Sequence, residues 1–329
     1  MNNLKSLIAS AQKKGLFRTE DSLPPMVSTN MGLPLGILAQ LSTEIIENVL
    51  QDRTAEKVIG PKFKALDFAD EEYYNPFIET LGQTSIYGDY MDNLVSDINL
   101  SFNRTGHYLF SAMFRVGERE REKLSRARIN ADQYKMLAVS EALAIEFNRT
   151  AFNGYMANAG NQFLVNGIIN SPNLLPAISA GTTLTAMNDE QILSFFASAV
   201  GRLNEQSGNN ITPNSLIRVG IPSNIFTMLS GRINQYGISI IDQIKRGYPN
   251  LILESSVELI NVVNNQSMMI FVGESNAGGV KDTMRLGYSE IMRLSNVVIN
   301  HNSVSQVVTS GTTGVIVNKP IFVARYLNV

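Results

Sequence analysis

The sequence predicts an α+β fold, and three observations carry that reading. A long amphipathic helical pattern over 132–153 stands among strand patterns rather than among other helices. Between 188 and 272 helical and strand patterns alternate, and from 290 onward the chain reads almost wholly as strand. No internal repeat and no low-complexity tract competes with this division. A chain of 329 residues holds enough apolar material for one large domain or two ordinary ones.

From the N-terminus, residues 1–33 carry Pro24, Pro25 and Gly32 and no long period. Within 1–18 there are four bases (Lys5, Lys13, Lys14 and Arg18) and no acid. This reads as an arm with a short amphipathic turn, ordered only by neighbours. After Pro34, the residues Leu38, Leu41, Ile45 and Val49 recur at helical spacing.

The segment 67–103 is the least ordinary in the chain. It carries eight acids and not one Lys or Arg, together with Tyr73, Tyr74, Phe77, Tyr87 and Tyr90, and it offers Gly82 and Gly88 as turn residues. Aromatic residues in an acidic, strand-prone stretch predict a long hairpin whose surface is not left to water. A solvated acidic loop is the plainer alternative. The next strand is clear, because Tyr108, Phe110, Ala112, Phe114 and Val116 alternate on one face. A Glu/Arg cluster from Glu118 to Lys123 extends that strand, and 104–128 holds seven bases against three acids.

The helix over 132–153 places Met136, Val139, Leu143 and Phe147 on one stripe and has Gly154 as its stop. At 1.5 Å per residue it is on the order of 30 Å long. A turn-rich stretch, NGIINSPN over 166–173, follows it. Farther on, Asn188 can cap a helix bearing Ile192, Phe195, Phe196, Ala199 and Leu203. A strand over 216–220 leads through Pro222 and Ser223 into a helix reaching Leu229, and another helix over 240–246 stops at Gly247. Strands are expected over 251–253, 269–272, 292–299, 306–310, 315–317 and 321–325.

Composition removes most enzyme chemistry. Without Cys there are no disulfides, thiolate zinc sites or cysteine nucleophiles. His107 and His301 are the only histidines, so a multi-His metal site is nearly excluded, and each reads as a polar residue at an edge or turn. No phosphate-binding loop, strand-linked GxGxxG or Gly-x-Ser-x-Gly elbow is present. The carboxylates of 67–97 do not take the alternating spacing of a calcium loop. Hence no catalytic residue, cofactor or metal is expected. A formal net charge of −2 speaks against a dedicated nucleic-acid binder. No stretch approaches the roughly 18 apolar residues that span a bilayer. The N-terminus lacks the pattern of a signal peptide, so a cytoplasmic protein without membrane contact is expected.

The order of elements carries a resemblance. A basic irregular arm leads to a helix, then to a long aromatic and acidic hairpin. A strand with a Glu/Arg cluster follows, then a long helix ending in Phe152, Asn153 and Gly154, then NGIINSPNL over 166–174. An α/β insert comes next, and GVIVNKPIFVARY over 314–326 closes the chain. Over essentially its whole length this resembles the tailed-bacteriophage major capsid proteins of the Hong Kong 97 type. The resemblance implies an arm and first helix over 1–58, an extended loop over 59–104, and a peripheral domain with its spine helix over 105–180. It further implies an axial α/β domain over 181–289 and return strands of the peripheral domain over 290–329.

The function so implied is self-assembly, as hexamers and pentamers, into the icosahedral capsid of a virion built in the bacterial cytoplasm. The implied partners are portal and scaffolding or protease proteins, with packaged DNA loosely on the inner face. Two departures stand out. Only 1–33 precede the first helix, so scaffolding is expected from another protein or a removed piece. The loop itself has no Lys, only Lys62 and Lys64 at its base, so no covalent crosslink is expected. An encapsulin-type nanocompartment holding an enzyme cargo is the alternative, and an uncharacterised α/β enzyme a remote one. In the family the extended loop lies over an adjacent subunit. Charge therefore suggests that Asp70, Glu71 and Glu72 face a neighbour's Arg119, Arg121 and Lys123, unless Glu118, Glu120 and Glu122 already neutralise those bases within their own strand. Met136, Val139, Leu143 and Phe147 are expected as spine-helix core.

Overall fold

The computed structural model describes residues 53–82, 84, 89, 96–126, 130–156, 163–234, 237–275 and 282–329. The expected arm over 1–33, the helix after Pro34, and Tyr87, Gly88 and Tyr90 lie outside the described residues. In chain order the elements are α1 (Ala55–Val58), β1 (Lys62–Lys64), β2 (Glu72–Leu81), β3 (Asp97–Gly106), β4 (Tyr108–Gly117), α2 (Glu118–Arg126), α3 (Ala131–Asn153), β5 (Tyr155–Met156), β6 (Phe163–Val165), β7 (Ile178–Ser179) and α4 (Asp189–Gln206). The second half adds β8 (Ile217–Pro222), α5 (Ser223–Gly231), α6 (Ile240–Gly247), β9 (Leu251–Ser256), β10 (Met268–Gly273), β11 (Met284–Tyr288), β12 (Arg293–Leu294), β13 (Val298–Asn300), β14 (Ser303–Val317) and β15 (Val323–Leu327).

Strand β14 organises the first sheet. It pairs antiparallel with β4 along one edge and with β11, β12 and β13 along the other, and β1 adds in parallel to β11. The sequence predicts two separate strands over 306–310 and 315–317. Instead the chain runs through as one strand. The irregularity is absorbed by a register shift at Gly287/Tyr288 and by Gly314, whose φ of +72° suits glycine. The single strand expected over 292–299 divides into β12 and β13.

Helix α3 starts where Asn130 accepts a hydrogen bond from the Gln133 N–H at 3.4 Å, and stops at Gly154 with φ +70°. Val139 and Leu143 are buried with Val308 of β14 against Phe110, Ala112 and Phe114 of β4. The alternation read in β4 therefore turns its aromatic side to α3, leaving Leu109 and Met113 exposed on the opposite face. The Glu/Arg cluster is not strand but helix α2. Period-two charge mimics a strand; here acids occupy the first turn and bases the last, as the helix dipole favours. Glu120 pairs with Lys135 at 2.7 Å and Arg121 with Asp132 at 3.0 Å, which ties α2 to α3.

The second sheet has the order β7-β15-β10-β8-β9 and is covered by α4, α5 and α6. Phe195, Phe196, Phe271 and Tyr326 meet edge-on in its core, with centroids 5.2–6.5 Å apart. Asn188 caps α4 through a reciprocal box with Gln191. Pairing cuts across two expected boundaries. Strand β15, expected to return to the peripheral domain, lies between β7 and β10 of this second sheet. Strand β11, expected in the axial domain, belongs to the first.

The 166–174 motif has a packing reason. A Cβ on Gly167 would collide with the Phe152 carbonyl and the Gly154 nitrogen. Asn170 accepts from the Gly167 N–H at 2.8 Å and donates to the Asn153 carbonyl at 2.6 Å, so it closes the end of α3. Gly167→Ala should therefore destabilise the chain by about 1–3 kcal/mol, the usual cost of overpacking. An unchanged melting temperature by circular dichroism would contradict this close approach.

Candidate assembly surface

Strands β2 and β3 form a two-stranded antiparallel ribbon in register from Glu72↔Gly106 to Leu81↔Asp97. Its root is fastened to the first sheet. The Asp70 carbonyl accepts from His107 Nδ1 at 2.6 Å, which leaves Nε2 to accept the Ser289 hydroxyl at 2.7 Å. Arg293 lies 3.9 Å over the Phe68 ring, and Tyr73 meets Phe63 edge-on at 6.1 Å. Farther along the ribbon, Asn75 donates to Asn318 Oδ1 at 3.4 Å.

Beyond that point the two faces differ. Residues directly opposite in an antiparallel pair share a face. One face thus carries Tyr74, Pro76 with Phe102, Ile78 with Leu100, and Ile98. Tyr74, Ile78, Ile98, Leu100 and Phe102 are each 52–64% exposed. The other face carries Asn75 with Asn103, Phe77 with Ser101, and Glu79 with Asn99. An isolated two-stranded ribbon is marginal in water, and a contiguous apolar face marks a contact surface. Pro76 removes one N–H from the ribbon, which an edge strand tolerates.

The acids near the root are partly satisfied within the chain. Glu72 pairs with Arg104 across the ribbon and accepts the Tyr74 hydroxyl at 2.7 Å, which pushes the Tyr74 phenol above its ordinary range. Asp70 accepts from the Asp67 N–H at 2.8 Å. Glu71 is exposed and has no partner among the described residues. On α2, Arg121 is taken by Asp132, whereas Arg119 and Lys123 have none among the described residues. Of the stripe on α3, Val139 and Leu143 are buried while Met136 and Phe147 are half-buried. Phe147 borders a cavity of about 340 Å³ together with Leu143 and Met292.

Among the described residues, no group of three or more His, Cys, Asp or Glu could hold a metal ion. No described helix is long and apolar enough to cross a membrane. The apolar ribbon face is the feature that charge and aromatic counting pass over. Its signal lies in 98–103, where Ile98, Leu100 and Phe102 alternate with Asn99, Ser101 and Asn103.

The family model described as "Pa193 gp26 major capsid protein" matches residues 24–328. The capsid of Myoviridae phage XM1 is similar over 89% of this chain and 99% of its own, with a TM-score of 0.72 at 15% identity. A structure from Gordonia phage Cozz gives 0.59 at 13% identity over 94% and 98%. One from Mycobacterium phage Ogopogo gives 0.57 at 13% over 88% and 97%. No curated protein sequence matches the chain. At these identities the solved structures speak to fold, which is that of phage capsids.

Proposed function

The chain belongs to the family of the Pa193 gp26 major capsid protein, and from that premise we propose that this shell-forming structural protein closes its shell by laying the apolar ribbon face on a second copy. The carrying observation is that face, five side chains more than half exposed on a ribbon too small to be stable alone. We assign its seat to Leu109, Met113 and Val298, which are exposed on the face of the first sheet away from α3. Apolar burial at roughly 25 cal/mol per Å² drives such a contact, provided each interface clears about 1,000 Å².

On this reading residues 1–58 supply an arm and first helix and 59–104 the extended loop of a Hong Kong 97-type subunit. Residues 105–180 supply the peripheral domain with α3 as its spine, and 181–289 the axial domain apart from β11, which joins the first sheet. Residues 290–329 return to the peripheral domain apart from β15. Assembly takes place in the bacterial cytoplasm, with portal and scaffolding or protease proteins as partners and packaged DNA on the inner face. The role is structural rather than enzymatic. The full chain, expressed alone or with the products of its gene cluster, should give closed particles in negative stain. Monomers only, under both conditions, would overturn the proposal.

Charge supplies a smaller contribution. With Glu72 and Arg121 engaged inside the chain, Glu71 facing a neighbour's Arg119 and Lys123 is the leading pair, with Asp70 beside it. Exposed pairs contribute little singly and are screened beyond about 10 Å at 0.1 M salt. Glu71→Lys should slow assembly less than about tenfold at low salt and have no effect at high salt. Adding Arg119→Glu and Lys123→Glu should restore the rate, as followed by light scattering. If the triple variant is no faster than Glu71→Lys, these charges are not partners.

A further inference from the structure

His107 joins separate segments at the root of the ribbon. The ladder between β2 and β3 ends at Glu72↔Gly106, so backbone pairing stops just before it. From there the imidazole takes over. Its Nδ1 meets the Asp70 carbonyl at 2.6 Å on the entry to β2, and its Nε2 meets the hydroxyl of Ser289, the residue after β11, at 2.7 Å. Ser289 is 1% exposed, and its N–H donates to the Gly311 carbonyl of β14, so its own place is fixed. The ring lies against Gly311, where a Cβ would collide with both Ser289 Oγ and His107 Nε2. Gly311 pairs with Leu109, so the ring and Leu109 share the sheet face away from α3. The nearby contacts, Arg293 over Phe68 and Tyr73 against Phe63, let the rings slide. Two hydrogen bonds on one planar ring constrain direction as well as distance.

We infer that His107 is a positioning residue for assembly, which fixes the direction in which the ribbon leaves the first sheet. Its ring lies on the same face that carries Leu109 and Met113 of the seat. The inference rests on the reading of the ribbon as the contact between copies. In that contact the ribbon of one copy lies on the seat of the next, so two different surfaces meet. Head-to-tail contacts of this kind close only when the rotation between copies is the right one, and otherwise run on open. Because the ribbon root and the seat are built on one sheet face, the pinned ring sets that rotation. Losing the pin leaves both apolar surfaces intact and frees the angle between them.

His107→Ala and Ser289→Ala should each still assemble, but into particles of several diameters and open pieces, where the parent chain gives one diameter in negative stain. The two changes combined should be no worse than either alone, since both break one run of bonds from Asp70 to Ser289. His107→Gln, whose amide keeps a donor and an acceptor, should restore the single diameter. His301→Ala, at the exposed histidine in the turn before β14, should behave as the parent. In the unassembled full chain, the amides of 72–75 and 103–106 should exchange on the order of tenfold faster in His107→Ala, with the thermal melt within a few degrees of the parent. Uniform particles from both alanine variants, or unchanged exchange at the ribbon root, would overturn the role of His107. If neither the parent nor any variant forms particles, the shell reading fails, and the exchange measurement alone decides whether His107 holds the ribbon.

Discussion

Ile78→Asp combined with Leu100→Asp should abolish particle formation and leave a soluble, folded subunit. The two residues lie directly opposite each other in the middle of the ribbon and are 61% and 52% exposed. Neither belongs to a core cluster, so the subunit itself loses little; surface changes of this kind fall within about 0.5 kcal/mol. In the contact, each apolar side chain contributes about 1.5–3 kcal/mol on full burial. Each carboxylate would instead have to be stripped of water without a partner. The loss recurs at every subunit of a closed shell. Like charges placed opposite each other also weaken the ribbon's own pairing. Ile78→Thr with Leu100→Thr separates the two effects, since threonine keeps strand propensity and adds no charge. That pair should also fail to assemble, whereas Ser101→Asp, on the other face and opposite Phe77, should assemble. Size exclusion and negative stain read the outcome, and circular dichroism checks the fold. Normal particles from the double aspartate variant would remove the ribbon face from the assembly contact.

Helix α3 was legible to within a residue because every local signal agreed. Its apolar stripe and the Gly154 stop mark the same segment, which the Asn130 cap opens in the structure. Strand β4 was equally legible, since Phe110, Ala112 and Phe114 show which side is covered. The misreadings share one cause, namely that a non-local partner decides the conformation. Charges alternating from Glu118 to Glu122 fit strand and helix alike until Lys135 and Asp132 of α3 select the helix. The strands expected over 306–310 and 315–317 are one, because pairing to β4 and β11 carries the chain through Gly311 and Gly314. Nothing local to 323–327 says that it pairs with β10 rather than with the first sheet. The candidate charges were limited differently. Arg104, the first residue after the acid-rich 67–103 segment, neutralises Glu72 from the opposite strand.

Leu143→Asp should give insoluble protein rather than a soluble subunit that fails to assemble. Leu143 is 5% exposed and sits with Val139 and Val308 in the layer between α3 and the first sheet, against Phe110, Ala112 and Phe114. None of these neighbours offers a side-chain donor. Removing the side chain alone, as in Leu143→Ala, costs about 2–5 kcal/mol. The carboxylate adds the penalty of a buried polar group without a partner, at least about 1–3 kcal/mol more by mutational measure. The sum is comparable with the whole stability of a domain, about 5–15 kcal/mol. Asp matches Leu in reach, and Leu143 itself borders the cavity beside Phe147, so water there lowers the added penalty while the lost packing remains. Leu137→Asp is the control, because Leu137 lies on the same helix but is 44% exposed; it should fold and melt within a few degrees of the parent chain. Solubility after expression and the thermal melt of whatever is recovered separate the two variants. A soluble Leu143→Asp chain that still builds particles would show that the stripe on α3 is not core, and the spine would then owe its place to Asn148, Thr150, Ala151 and Phe152, which are buried in its last turns.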